Sequence, residues 1–211
     1  RRAVLIFLAV VGLTYFPAIR NGFVLDDGTA IVDNRDLDNP SLSWIFGRDY
    51  FEISREISYR PMVTLTHLLA RRWGAPGGHL LNLLLHASVG AGLFLVGKMI
   101  FSPSAGMWGA LIYLVHPAYC EAVYAISFRE DLLCAFFLLW TLLLALRSKP
   151  ILAGLAFALA LFSKETAMPL PVFFAIMGFL PNFKILGKTA PILILVDVVY
   201  AWIRFVVLPG P

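Results

Sequence analysis

Long apolar runs recur along this chain, separated by short polar breaks: 3–19, 79–101, 104–115, 131–146, 151–162, 168–180 and 189–208. A helix of roughly 20 apolar residues matches the ~30 Å hydrocarbon core of a bilayer. With 60% of its 211 residues hydrophobic and only 14% charged, a water-soluble fold of this size could not hide its apolar surface. The expected class is an all-α polytopic membrane protein, a single domain over 1–211 with about seven transmembrane helices. Runs of about 12 residues are short for the core. They fit a bundle whose outer helix ends are cut back by a polar cavity.

Charge placement orients the threading. With the N-terminus cytoplasmic, the inner loops hold Arg1, Arg2, Lys98, Arg147, Lys149, Lys184 and Lys188 and no acidic residue. That is the Lys/Arg excess of cytoplasmic loops. Every acidic residue except Asp197 then falls on the outer side. The net charge of +4 is dispersed, so no nucleic-acid partner is expected. Cys120 and Cys134 would lie about 21 Å apart on a helix, too far for a disulfide, and are expected to be packing residues. The start at Arg1-Arg2 without Met, and the end at Pro209-Gly210-Pro211, suggest a fragment of a longer protein with a retained signal-anchor helix.

Between the first two runs lies a polar stretch, 20–78, the first outer loop. It offers two amphipathic juxtamembrane helices. Asn39-Pro40 resembles a cap followed by Pro at the first helical position, with Leu42, Ile45, Phe46 and Tyr50 at helical spacing behind it. Pro61 opens the other. There Met62, Leu65, Leu69 and Trp73 form an apolar stripe, with Thr64, His67 and Arg71 on the opposite face.

The polar residues carry several candidate chemistries. Asp26-Asp27 suits a general base beside a low-dielectric boundary, and equally a solvated turn. Asp36-x-Asp38 has chelating spacing but is also ordinary turn chemistry. Arg60, before Pro61, suits a bidentate phosphate contact or a snorkelling anchor. His79, Asn82 and His86 form one polar stripe down the second run; His86 reads as an interhelical hydrogen bond and His79, at the mouth, as the better functional candidate. Ser127-x-x-Glu130 fits a capping box. Arg204 lies near the outer end of the seventh run. A Gly-rich nucleotide loop, a Gly-x-Ser-x-Gly elbow and a Cys/His metal framework are all missing from the sequence.

Taken in order, Phe23-x-x-Asp26-Asp27, Asn34-x-Asp36, Ser58-Tyr59-Arg60-Pro61, Gly77-x-His79-x-x-Asn82-x-x-x-His86, His116-Pro117-x-x-x-Glu121-Ala122-Val123, Arg129-x-Asp131 and Ser163-Lys164-Glu165 resemble the membrane part of the TMTC proteins, the transmembrane and tetratricopeptide-repeat O-mannosyltransferases. More broadly they resemble the GT-C glycosyltransferases. The resemblance implies a sugar, mannose, carried on a polyprenyl phosphate such as dolichyl phosphate mannose. Transfer would invert the anomeric carbon and deliver the sugar to a protein Ser/Thr, lipid or glycan hydroxyl at the periplasmic, extracellular or ER-luminal face. It further implies Asp26 as base with Asp27 as partner, and no metal or other cofactor. Arg60, Lys164, Arg204 and Arg129 become donor-phosphate contacts; Tyr59, His79, His116, Glu121 and Glu165 become sugar or acceptor contacts. Phe128 stands where TMTC relatives have Gly. Their further C-terminal helices and repeats are missing from this sequence, which motivates the alternative of an inactive scaffold or accessory subunit of a larger membrane complex. A transporter is disfavoured, because alternating access needs a polar route to both faces.

Overall fold

The computed structural model describes residues 2–34, 37, 38, 41–47 and 58–208. Asp36, the Asn39-Pro40 start and Tyr50 lie outside them. Among the described residues the fold is all helical: α1 (Arg2–Tyr15), α2 (Leu42–Phe46), α3 (Pro61–Ile100), α4 (Pro103–Val115), α5 (Cys120–Tyr124), α6 (Arg129–Leu146), α7 (Pro150–Leu161), α8 (Leu170–Met177) and α9 (Lys184–Trp202). Local chemistry sets many of these limits. Pro stands at the first position of α3, α4 and α7, where its missing N–H costs nothing. Ser102 caps α4 and Ser41 caps α2, each hydroxyl accepting a backbone N–H at 3.1 Å.

The juxtamembrane helix at Pro61 and the second apolar run are one helix, bent at Gly74. Its φ of +69° is backbone that a residue with a Cβ rarely adopts. Before the bend the amphipathic stripe is turned apolar side out. Leu65, Leu69 and Trp73 are exposed while Thr64 and His67 are buried, and Arg71 reaches back to Asp38 and to the Ile31 and Val32 carbonyls. Polar groups face protein and apolar groups face outward, the reverse of a soluble helix and the arrangement a hydrocarbon solvent favours.

Two cores flank the α3–α6 pair. One packs α1, α4 and α5 against α3; the other packs α7, α8 and α9 against α6. Antiparallel neighbours close up on small residues: a Cβ on Gly97 would lie 2.6 Å from the Gly106 Cα, so α3 and α4 meet backbone to backbone. Large apolar side chains such as Leu13, Trp108, Ile151 and Leu195 point outward. Both cysteines are free.

Among the described residues, length and apolarity single out three helices as candidate spans. Arg2–Arg20, Pro61–Ile100 and Pro181–Val207 are long and apolar enough to cross a membrane; Pro103–Val115, Pro150–Leu161 and Glu165–Met177 are shorter. The helix α6 carries Arg129, Glu130 and Asp131 in its first turn, which shortens its apolar part.

Candidate functional site

Several polar segments far apart in sequence meet at one end of the bundle. The first anchor is Asp27, fully buried. Its carboxylate accepts the Ser127 N–H at 2.6 Å, the Ile126 N–H at 3.3 Å and the Val24 N–H at 3.0 Å. This ties the start of the 20–78 stretch to the turn before α6. Asp26, its neighbour, is exposed. Its carbonyl accepts from Ala30, and among the described residues its carboxylate has no recorded hydrogen bond.

The second anchor is Arg129, also fully buried. Its Nε donates to Asn82 Oδ1 at 2.7 Å, and its terminal nitrogens donate to the Thr66 and Gly78 carbonyls at 2.9 Å each. Those carbonyls lie on either side of the Gly74 bend, so the guanidinium braces the two halves of α3. Asn82 in turn donates to the Ala122 and Ala125 carbonyls. Three Arg129 donors are thus engaged within the fold. His79 is buried as well, its Nε2 on the Gly22 carbonyl at 3.1 Å. A carbonyl only accepts, so Nε2 carries the proton, and His79 pins the start of the 20–78 stretch.

Arg60, Glu130, Lys164, Asp131 and Glu165 form a connected ionic rim. Glu130 bridges the two cations, with Oε2 2.6 Å from Arg60 Nη1 and Oε1 3.1 Å from Lys164 Nζ. Lys164 also meets Asp131 Oδ1 at 2.6 Å, and Arg60 Nε meets Glu165 Oε2 at 3.3 Å. Two cations thus face three carboxylates, a net of −1 with all ionised. Burial works against the Lys164 ammonium, but the Asp131 hydrogen bond and the Glu130 and Asp131 charges outweigh it and raise its pKa. The capping box at Ser127 does not form. No side chain caps α6, and the Ser127 hydroxyl has no partner among the described residues; Glu130 is drawn instead to Arg60 and Lys164.

Tyr59 and Arg204 stand behind this rim. Tyr59 is buried; its hydroxyl donates to the Phe46 carbonyl at 2.8 Å and its N–H to Glu165 Oε1 at 3.3 Å. Burial raises its pKa, with Arg204 opposing. Arg204 is buried in the turn after α9, donating to the Leu208 carbonyl at 3.3 Å.

A cleft of about 880 Å³ opens between α3, α4 and α6. Val89, Leu93, Ile112, Leu138 and Leu139 give it apolar walls, and one end carries Tyr113, His116, Tyr119, Glu121, Glu130, Asp131 and Lys164. Of the residues singled out by sequence, His116, Glu121 and Lys164 line it. Asp26, Asp27, Arg60, Arg129, Arg204, His79, Tyr59 and Glu165 do not. Asp27 still reaches the cleft at one remove, because the Ser127 amide it holds precedes Phe128, a wall residue. Sequence reasoning gave Glu130 only a capping role, carried Asp131 only within the Arg129-x-Asp131 motif, and did not single out Tyr113 or Tyr119. The signal for the acids was the Glu130-Asp131 pair opening an apolar helix.

Curated proteins resemble this chain over most of its length. Human protein O-mannosyl-transferase TMTC3 is 33% identical over 158 residues, which is 70% of this chain and 17% of that protein. Mouse protein O-mannosyl-transferase TMTC4 is 33% identical over 158 residues, 63% of this chain and 21% of that protein. Xenopus laevis protein O-mannosyl-transferase tmtc2 is 35% identical over 145 residues, 62% and 17% respectively. No family model matches the chain. No solved structure matches it. The chain is similar to the TMTC protein O-mannosyl-transferases over a segment of about a sixth to a fifth of their length.

Proposed function

We propose that this chain forms the membrane domain of a glycosyltransferase, threaded seven times with its polar end on the outer or luminal side. It moves mannose from a polyprenyl phosphate to a hydroxyl, in the first place a protein Ser or Thr. The observation that carries this reading is the cleft: apolar walls for a lipid tail, ending in Lys164, His116 and Glu121 for an anionic, hydroxyl-rich head. The names of the TMTC relatives support the sugar and the acceptor class.

In the proposed step the acceptor O–H gives its proton to the Asp26 carboxylate while its oxygen bonds to the anomeric carbon. The bond from that carbon to the phosphate oxygen breaks, and its electron pair leaves with the lipid phosphate. Attack from the face opposite the phosphate inverts the centre, through a transition state with oxocarbenium character. Asp26 is favoured over Asp27 because Asp27 already accepts three backbone N–H groups and could take a proton only by giving some of them up. Lys164 stabilises the charge gathering on the leaving phosphate, once the phosphate has replaced Asp131 as its partner.

The test is transfer from polyprenyl-phosphate mannose to a Ser/Thr peptide by the full chain in liposomes. Asp26→Asn should lower kcat by about 100-fold or more. Lys164→Met should chiefly raise the KM for the donor. Undiminished transfer by the Asp26 variant would overturn its role as base.

A further inference from the structure

At its polar end one wall of the cleft turns from aliphatic to aromatic. Tyr113, in the last turn of α4, stands 4.4 Å centroid to centroid from Tyr119, and Tyr119 lies 5.9 Å from the His116 ring. All three line the cleft, and Tyr119, 39% exposed, is the outermost of the pair of tyrosines.

This surface is held from behind. His86 is fully buried, with Nε2 3.2 Å from the Leu114 carbonyl and Nδ1 3.2 Å from the Tyr113 hydroxyl. The carbonyl can only accept, so Nε2 donates, and in the neutral ring Nδ1 accepts the Tyr113 proton. The His86 ring lies 4.8 Å from Tyr113, and Tyr15 meets it edge-on at 5.3 Å. Tyr113 is thereby fixed before any ligand arrives, and Tyr119 rests on it.

We propose that Tyr119, seated on Tyr113 beside His116, is a stacking surface for the sugar of the donor, and makes the cleft prefer a hexosyl lipid phosphate to a sugar-free lipid phosphate of equal charge. The inference rests on the donor reading given above and adds the residue that recognises the sugar. A pyranose ring has an apolar, slightly positive patch of C–H groups and a rim of hydroxyls. The patch suits the negative face of a fixed aromatic ring. The rim would meet Glu121 and His116 at the same end of the cleft. Lys164 alone cannot make this distinction, because it meets the same phosphodiester in both lipids.

The experiment measures Kd for two short-chain polyprenyl phosphodiesters, one mannosyl and one methyl, on the full chain in nanodiscs. The methyl ester keeps the charge and removes the sugar. Wild type should prefer the mannosyl ester by about 3- to 10-fold, the range of one aromatic contact. Tyr119→Phe should keep that preference. Tyr119→Leu should lower the ratio toward what the hydroxyl contacts alone supply, while leaving methyl ester affinity unchanged. Equal binding of both esters by wild type, or equal weakening of both by Tyr119→Leu, would overturn the stacking surface and leave the donor reading standing. Failure of wild type to bind either ester would sink both.

Discussion

Asp27 Oδ1 accepts the Ser127 N–H at 2.6 Å across a hundred residues of chain, joining the 20–78 stretch to the turn that feeds the cleft wall. The adjacent carboxylate, Asp26, is exposed. Two like residues side by side thus stand in different surroundings, one held inside the fold and the other at the surface.

That division can be separated by measurement. In Asp27→Asn an amide NH₂ must face backbone N–H donors, and at least one buried donor loses its acceptor. The cost should be about 3 kcal/mol, seen as a lower thermal midpoint with activity falling alongside. Asp26→Asn should keep the wild-type midpoint and lose activity. Equal midpoints for both variants would contradict the anchoring role of Asp27.

Asp131 is the internal rival of an incoming anion. Its side chain is 52% exposed and bonded to Lys164, so under the proposed function the donor phosphate would take its place. Asp131→Asn should tighten binding of a lipid phosphodiester by about 3- to 10-fold, a partly exposed pair being worth roughly 1 kcal/mol. Weaker binding in a titration of this variant would mean that Asp131 helps to hold the ligand.

Glu130 joins Arg60 to Lys164 with little exposure. Glu130→Ala should cost about 2 kcal/mol, less than the roughly 3–5 typical of a stranded buried charge, because Glu165 and Asp131 retain the cations. A double-mutant cycle with Arg60→Met should recover part of the loss; strict additivity would argue against the bridge. The raised pKa of Lys164 fixes the sign of the pH effect. Its pairs contribute fully below its ordinary value of 10.5, and that contribution fades as pH rises through the higher folded value. Thermal midpoints attributable to Lys164, taken against Lys164→Met, should therefore be flat from about pH 6 to 9.

The contact between α3 and α4 leaves no room at Gly97. Gly97→Leu should push the helices apart at a cost of about 1–3 kcal/mol, lowering the thermal midpoint in detergent. Gly109→Leu, where an added Cβ meets nothing within 4 Å, is the matched control and should be close to neutral. A loss at Gly109 as large as at Gly97 would remove packing as the cause.

Composition and spacing in the sequence were enough to determine the helical membrane class, the helix start at Pro61, and the cluster of polar motifs. These follow from chemistry within a few residues: a prolyl ring lacking its N–H, or an apolar run that water cannot solvate. The helix cap at Glu130 was a local expectation that a distant pair of cations overrode. That Arg129 braces α3, that Asp27 is walled in by Ile126 and Ser127, and that Tyr113 and Tyr119 share a cleft with Lys164, only the tertiary structure decided. Each depends on which side chains face each other across helices dozens of residues apart, and periodicity along one helix carries no information about the rotation of its neighbour.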